Sequence, residues 1–293
     1  MMDNSMDGGN PAGARRRSYE AGGRVARERM RQEAPEQAAA LEEVEAGDIV
    51  VVRGTYDHVE LVLDALHLPY NAVEPAAVGR LRLSPGQLVV VNCPGQIGRD
   101  GVAAVRRFVE AGGTLFTTDW ALRHVVEPAF PGVIAYNGRP TGDEVVRIEV
   151  LDGCNRFLDG VLDGDDDPLW WLEASSYPIQ VLDPARVQVL VRSRELADRH
   201  GEGAVAVLFG HGPGEVFHMI SHYYLQRTEL RSARHAAPAA AYAAEKQLQW
   251  IPGLAQSLAG LSLADVESAQ SSARLFANVV ADKKRRSRDG GRG

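Results

Sequence analysis

The chain has 293 residues, 45% of them hydrophobic, 24% charged and 6% aromatic, which excludes a wholly disordered or collagen-like polypeptide. Its two cysteines exclude a disulfide scaffold and a Cys-rich zinc module. The net charge of −7 argues against a surface that grips nucleic acid throughout, and it is uneven: residues 1–33 carry +2 and residues 282–293 carry +4, around a body of −13.

Length alone allows about two domains. No apolar run of about 18 residues is present, and the N-terminus has no apolar core of a secretory signal. A cytoplasmic location with no membrane partner is expected, and with it reduced Cys93 and Cys154. Residues 1–24 show no apolar periodicity and read as a leader without order. Residues 25–46 favour helix, interrupted by Pro35, so the folded body is expected to start near Gly47.

From there the pattern alternates. Residues 49–53 (IVVVR) are a short β-branched run of the kind that forms a buried strand. Thr55 is a candidate N-cap for a helix carrying Val59, Val62, Leu63 and Leu66. Residues 70–73 form a candidate second strand, and residues 88–92 (LVVVN) a third. Residues 102–110 place Val102, Val105, Phe108 and Val109 on one helical face, closed by Gly112 and Gly113. Residues 114–118 (TLFTT) form the next strand and lead through Asp119 and Trp120 into a helix. Strands alternating with helices predict a parallel sheet covered on both faces. Later segments are richer in strands, at 145–150, 187–191, 204–209 and 215–221. The Gly-rich turn at 210–214 predicts a late β-hairpin. Residues 159–178 read as an ordered insertion, residues 231–260 as short helices or a mobile arm, and residues 262–281 as a terminal amphipathic helix.

Ligands of open α/β sheets bind beyond the carboxyl ends of the strands. Three segments stand there: 53–58 (RGTYDH), 92–95 (NCPG) and 117–120 (TTDW). The run LVVVNCPGQIG, then a helix, then EAGGTLFTTDWAL resembles the class I glutamine amidotransferase-like superfamily over residues 48–127 and 203–225. The resemblance implies a small-residue turn at 91–95 that helps form an oxyanion hole. It also implies a sharp elbow at 118–121, with Asp119 in the place of the nucleophilic cysteine. It places His222 at the end of a late strand, where Tyr224 stands instead of the expected glutamate. A thiolate must attack a glutamine amide, so the resemblance implies a divergent, ThuA-like member without glutaminase activity.

Single residues keep two readings each. Cys93 is a nucleophile at a helix N-terminus or a small residue filling a tight turn. Asp119 is a base, nucleophile or metal ligand, or a helix N-cap. His211, His218, His222 and Asp119 form a metal site, or His218 is simply buried in its strand. The Trp170 and Trp171 segment is a binding surface or part of the core. The acidic run 163–167 lacks the residue order of a calcium loop and reads as a solvated turn.

The expected fold is therefore a three-layer α/β sandwich, mainly parallel with a late β-hairpin. It is expected over residues 47–281 with an insertion near 152–186, between a disordered or loosely helical leader (1–46) and a basic disordered tail (282–293). Asp119 and His222 are the candidate catalytic residues. Tyr56, Asp57, Asn92, Cys93, Gly95, Trp120, Tyr224, Gln226 and Arg227 are candidate ligand contacts. No cofactor or bound metal is expected. The expected partner is a small molecule or a protein, with nucleic acid touched at most by the basic tail, and the oligomeric state stays open. The alternatives are a hydrolase using Asp119 and His222, with or without a metal, and a regulatory scaffold protein.

Overall fold

Tyr19, Ala26 and Met30 recur at helical spacing and are buried. The segment that carries them forms helix α1 (Pro11–Glu33); its first half falls where the sequence suggests a leader without order, and its second half in the stretch that favours helix. Glycine explains the close packing. A Cβ on Gly22 would stand 2.7 Å from Ala269, so only glycine lets α1 lie directly on the terminal helix. Pro35 separates α1 from α2 (Pro35–Glu42), because proline suits the first turn of a helix and not its interior. The computed structural model describes residues 11–151, 155–164, 166–222, 228–248 and 250–290.

The β-branched run Ile49–Val52 forms β1, buried along its whole length. Helix α3 (Val59–Ala65) follows, entered from His58 rather than from Thr55. Then come β2 (Asn71–Val73), a 3-10 turn over Pro75–Arg80, β3 (Leu88–Val91), α4 (Gly98–Glu110) and β4 (Thr114–Thr118). A π-helical turn (Leu122–Val126) runs into α5 (Glu127–Ala129). Strands β5 (Ile134–Tyr136), β6 (Glu144–Arg147), β7 (Glu149–Val150), β8 (Leu169–Leu172), β9 (Ile179–Val181) and β10 (Val187–Arg192) lead to α6 (Arg194–His200). The hairpin β11 (Ala204–His211) and β12 (Gly214–Met219) comes next. Short helices α7 (Ala239–Glu245) and α8 (Leu254–Ser257) precede the long α9 (Leu263–Gly290).

The strand order is β2-β1-β3-β4-β12-β11-β10-β7. The first five strands are parallel, and the hairpin turns the remainder antiparallel. Strand β9 also pairs with β11, and β5 with β9. The β6–β8 ribbon forms a second, two-stranded sheet. Helices α1, α3 and α9 pack together on one side, while α4, the 3-10 turn and α5 pack together on the other. Phe276 of α9 meets Phe116 at 5.1 Å, and Phe116 stacks on Phe217 at 4.8 Å. This is the three-layer α/β arrangement with a late hairpin. The parallel strands β1, β3, β4 and β12 all deliver their carboxyl ends to one rim.

Two polar segments differ from expectation. Up to Gly290 the basic stretch after residue 282 is the last part of α9, and the described cations there are engaged within the fold. Lys284 pairs with Asp48 at 2.7 Å, Arg286 with Asp282 at 2.8 Å and Arg288 with Glu43 at 3.4 Å. The Lys283 ammonium donates to the Gly112 carbonyl at 3.0 Å. Acids from α2, from the entry to β1 and from α9 itself surround this end of the helix, so it is not a free basic tail. The acidic turn at 163–167 likewise grips cations. Lys246 sits 2.7 Å from Asp166 and 3.1 Å from Asp163, and Arg147 pairs with Asp167. The insertion packs through Trp170, which is fully buried and donates from Nε1 to Ser271 Oγ at 3.0 Å. Among the described residues, no helix is long and apolar enough to cross a membrane.

Candidate functional site

Asp119 follows the last residue of β4 with a φ of +43°. Non-glycine residues enter this left-handed region at a cost of roughly 1–2 kcal/mol. The chain therefore makes a sharp elbow between strand and helical turn, and the carboxylate is thrown back over the rim. The side chain does not cap the following turn. Its Oδ2 accepts from the Ser176 hydroxyl at 2.9 Å, and its Oδ1 accepts from the Tyr177 backbone N–H at 2.8 Å. Both donors come from the segment after β8, so the insertion closes over the elbow.

His222 lies three residues beyond β12, the neighbour of β4. Its Nε2 is 3.1 Å from Asp119 Oδ2, and its Nδ1 is 2.9 Å from Glu173 Oε2. The Ser221 hydroxyl donates to the Trp171 carbonyl at 2.9 Å, which ties the end of β12 to β8 and brings Glu173 beside the imidazole. The Cys93 thiol points at the same carboxylate, with Sγ 3.9 Å from Asp119 Oδ2. Its backbone N–H donates to Thr118 Oγ1 at 3.1 Å, fixing the turn after β3 to the elbow. Donor atoms of Cys93, Asp119 and His222 lie within 4.8 Å of one another.

The cluster is dry. Asp119 is 2% exposed and His222 and Cys93 are each 1% exposed. Burial pushes the Cys93 thiol up to about 11, against the pull of His222. Burial also raises the Asp119 carboxyl, although His222, Tyr177 and Ser176 favour its charged form. For His222 burial opposes the charge, but Asp119, Cys93 and Glu173 outweigh it and hold the imidazolium well above its ordinary range. Chemically, this is an Asp119–His222–Glu173 chain of close polar contacts with a protonated thiol beside it.

Above the cluster the rim is aromatic. Tyr56 meets Trp120 edge-on at 5.3 Å, Trp120 stacks on Tyr177 at 5.4 Å, and Tyr177 stacks on Tyr136 at 4.1 Å. The Trp120 indole N–H donates to the Ser175 carbonyl at 2.7 Å. Tyr56 is 47% exposed and ends this strip in solvent.

The structure thus brings Cys93, Asp119, Trp120, His222 and Tyr56 to one place. Three other candidates shape the scaffold and are not surface contacts. Asp57 is fully buried and accepts from the His58 N–H at 2.8 Å at the turn into α3, and its charge also acts on His222. Asn92 is also fully buried; it accepts from the Val59 N–H at 3.3 Å and donates to Glu60 at 2.9 Å. Gly95 has a φ of +74°, and a Cβ there would fall 2.7 Å from that of Ala121. Tyr224, Gln226 and Arg227 lie outside the described residues, as does Cys154. The four-residue metal set is not assembled either. His218 Nδ1 pairs with Thr117 Oγ1 at 2.8 Å inside the sheet, and His211 pairs with Glu110 at 3.2 Å, near the opposite end of the strands.

Glu173 is the functional residue that motif spacing misses. The amidotransferase-like pattern seeks a glutamate two residues after the histidine, whereas this one arrives from the insertion, 49 positions earlier in the chain. No local pattern in the sequence marks it, and the link is spatial. Glu173 shares a face with Trp171, and Trp171 meets His222 edge-on at 6.4 Å.

No family model matches the sequence, and no curated protein matches it either. Among solved structures, a glutamine amidotransferase from Thermotoga maritima is similar at 10% identity and a TM-score of 0.47, covering 79% of this chain and 97% of that one. PurLQS from Thermotoga maritima is similar at 12% identity and a TM-score of 0.47, covering 78% of this chain and 97% of that one. A β-galactosidase from Bacillus circulans is similar at 14% identity and a TM-score of 0.43, covering 65% of this chain and 31% of that one.

Proposed function

We propose that this chain is a divergent glutamine amidotransferase-like domain protein, of the ThuA-like kind, without glutaminase activity, and that it binds a small ligand or protein partner along the aromatic rim. One observation carries the reading. The elbow holds a buried carboxylate already engaged by Ser176, Tyr177 and His222, and the neighbouring thiol is pushed up to about 11. At neutral pH no thiolate is available to attack an amide. The strip of Tyr56, Trp120, Tyr177 and Tyr136 offers ring faces for stacking, so a ligand with a flat or apolar ring face fits it best.

The first half is tested by ammonia release from glutamine, where no release above the blank is expected. Release that disappears in Cys93→Ala would overturn it. The second half is tested by quenching of tryptophan fluorescence with mononucleotides and monosaccharides, weakened in Tyr56→Ala. If none of these probes quenches, the ring-ligand reading fails and the strip is left to a protein partner.

A second reading is a hydrolase using Asp119 and His222. It is favoured by the 3.1 Å approach of the two side chains and by Glu173 standing 2.9 Å behind the imidazole. There Asp119 acts as nucleophile or base, and His222 carries the proton. It requires the segment at 173–177 to move away from the elbow before a substrate can enter.

A further inference from the structure

We propose that Cys93, Asp119 and His222 form a binding site for a borderline-soft divalent metal, Zn²⁺ foremost, with Glu173 as the carboxylate that orients the histidine. Three observations converge. The first is donor type: one sulfur, one imidazole nitrogen and one carboxylate oxygen suit zinc and do not suit magnesium or calcium, which take oxygen ligands.

The second is spacing. Zinc bonds of about 2.0–2.3 Å in a tetrahedron place neighbouring donors about 3.3–3.6 Å apart. Here Nε2 and Oδ2 are 3.1 Å apart, Sγ and Oδ2 are 3.9 Å apart, and all three atoms lie within 4.8 Å. The two sides that meet at Oδ2 stand within a few tenths of an ångström of that range, and the third is no longer than 4.8 Å. Three protein ligands are the number found in catalytic rather than structural zinc sites.

The third observation is the surrounding shell. Metal-bound histidines nearly always donate their second ring N–H to a carboxylate or carbonyl. Glu173 Oε2 stands 2.9 Å from His222 Nδ1, which leaves Nε2 facing the other two donors. The Tyr177 N–H fixes the second oxygen of Asp119 at 2.8 Å, and the Cys93 N–H is fixed by Thr118 at 3.1 Å. Each donor is thus oriented before an ion arrives. Glu173 is the exposed member of the group: its side chain is 36% exposed while the three donors are buried. On binding, the ion takes the place of the protons on Nε2 and Sγ, and those protons leave to solvent. The inference does not rest on the rim ligand or on the absence of glutaminase activity.

The test uses the full chain, stripped with a chelator and reloaded. Equilibrium dialysis with Zn²⁺ is expected to give one tightly held ion per chain. Co²⁺ is expected to give a thiolate-to-cobalt charge-transfer band in the near ultraviolet, lost in Cys93→Ser and kept in Cys154→Ser. Glu173→Gln is expected to lower zinc affinity roughly 10-fold or more, and His211→Ala to leave it unchanged. The wild-type cobalt spectrum decides the matter even if a variant folds poorly. No charge-transfer band in the wild type, or a band that survives Cys93→Ser, would overturn the site.

Discussion

Strand β12 carries a charged cluster at each end, and the two are built in opposite ways. At its amino end Glu215 takes Arg286 and Arg156, and both arginines also reach Asp282. The arginine side chains there are 40% and 41% exposed, so water shares the load. Beyond its carboxyl end His222 (1% exposed) meets Asp119 (2%) and the partly exposed Glu173 (36%), and the elbow that positions Asp119 is held at a φ of +43°; at the amino end it is the acid, Glu215, that is buried and the cations that are exposed. The first cluster is redundant and hydrated. The second is dry at Asp119, His222 and Cys93, opens to water only at Glu173, and is strained at its elbow. Strain and buried charge of this kind concentrate at functional sites. The contrast is the physical reason for placing chemistry at one end of the sheet and not at the other.

The largest expected effect breaks the dry cluster. His222→Ala removes the cation between two carboxylates and leaves Asp119 buried without it. Loss of one partner from a buried pair costs about 3–5 kcal/mol. Urea unfolding at neutral pH should show a drop of that order. A loss below about 1 kcal/mol would mean that the carboxyl end is no more dependent on its partners than the amino end.

Between the two clusters lies His218, four residues before His222. Its Nδ1 pairs with Thr117 Oγ1, and burial pushes it down to about 3 from an ordinary value of 6.5. Below 6.5 the unfolded chain therefore takes up a proton that the native state refuses. Stability contributed by neutral His218 is complete above that value and is lost as pH falls toward 3. The slope is about 1.4 kcal/mol per pH unit inside this window. In a series of unfolding curves from pH 6.5 downward, His218→Gln should show an acid limb shallower by about one proton. An unchanged limb would place the titration elsewhere.

Much of this arrangement is legible in the sequence, because β-branched runs and helical spacing report burial directly. Residues Ile49–Val52, Leu88–Val91 and Thr114–Thr118 lie where their apolar pattern places them. Asp119 and His222 were legible too, because strand-end polar residues of a parallel sheet share one rim. Glu173 was not, since its place beside His222 depends on how the β6–β8 ribbon docks, and no local pattern encodes that. The order in the first half of α1 was hidden for a related reason. Its apolar residues are few, and Gly22 buries it by close approach to α9. The charges after residue 282 read as a tail because their acidic partners Asp48, Glu43 and Glu215 are distant in sequence.

The smallest expected effect completes the comparison at the amino end. Arg286→Ala removes one of two cations from Glu215, but Arg156 remains 2.5 Å from that carboxylate. The Thr114 hydroxyl also donates to Glu215 at 3.3 Å. The remaining partners therefore satisfy the buried acid, and an ion pair whose cation is 40% exposed contributes about 1 kcal/mol or less. Urea unfolding of Arg286→Ala should show a change inside that limit, shrinking further as salt is raised. A loss comparable to that of His222→Ala would show that Glu215 depends on Arg286 alone. It would then remove the redundancy that separates this end of β12 from the end that carries the candidate site.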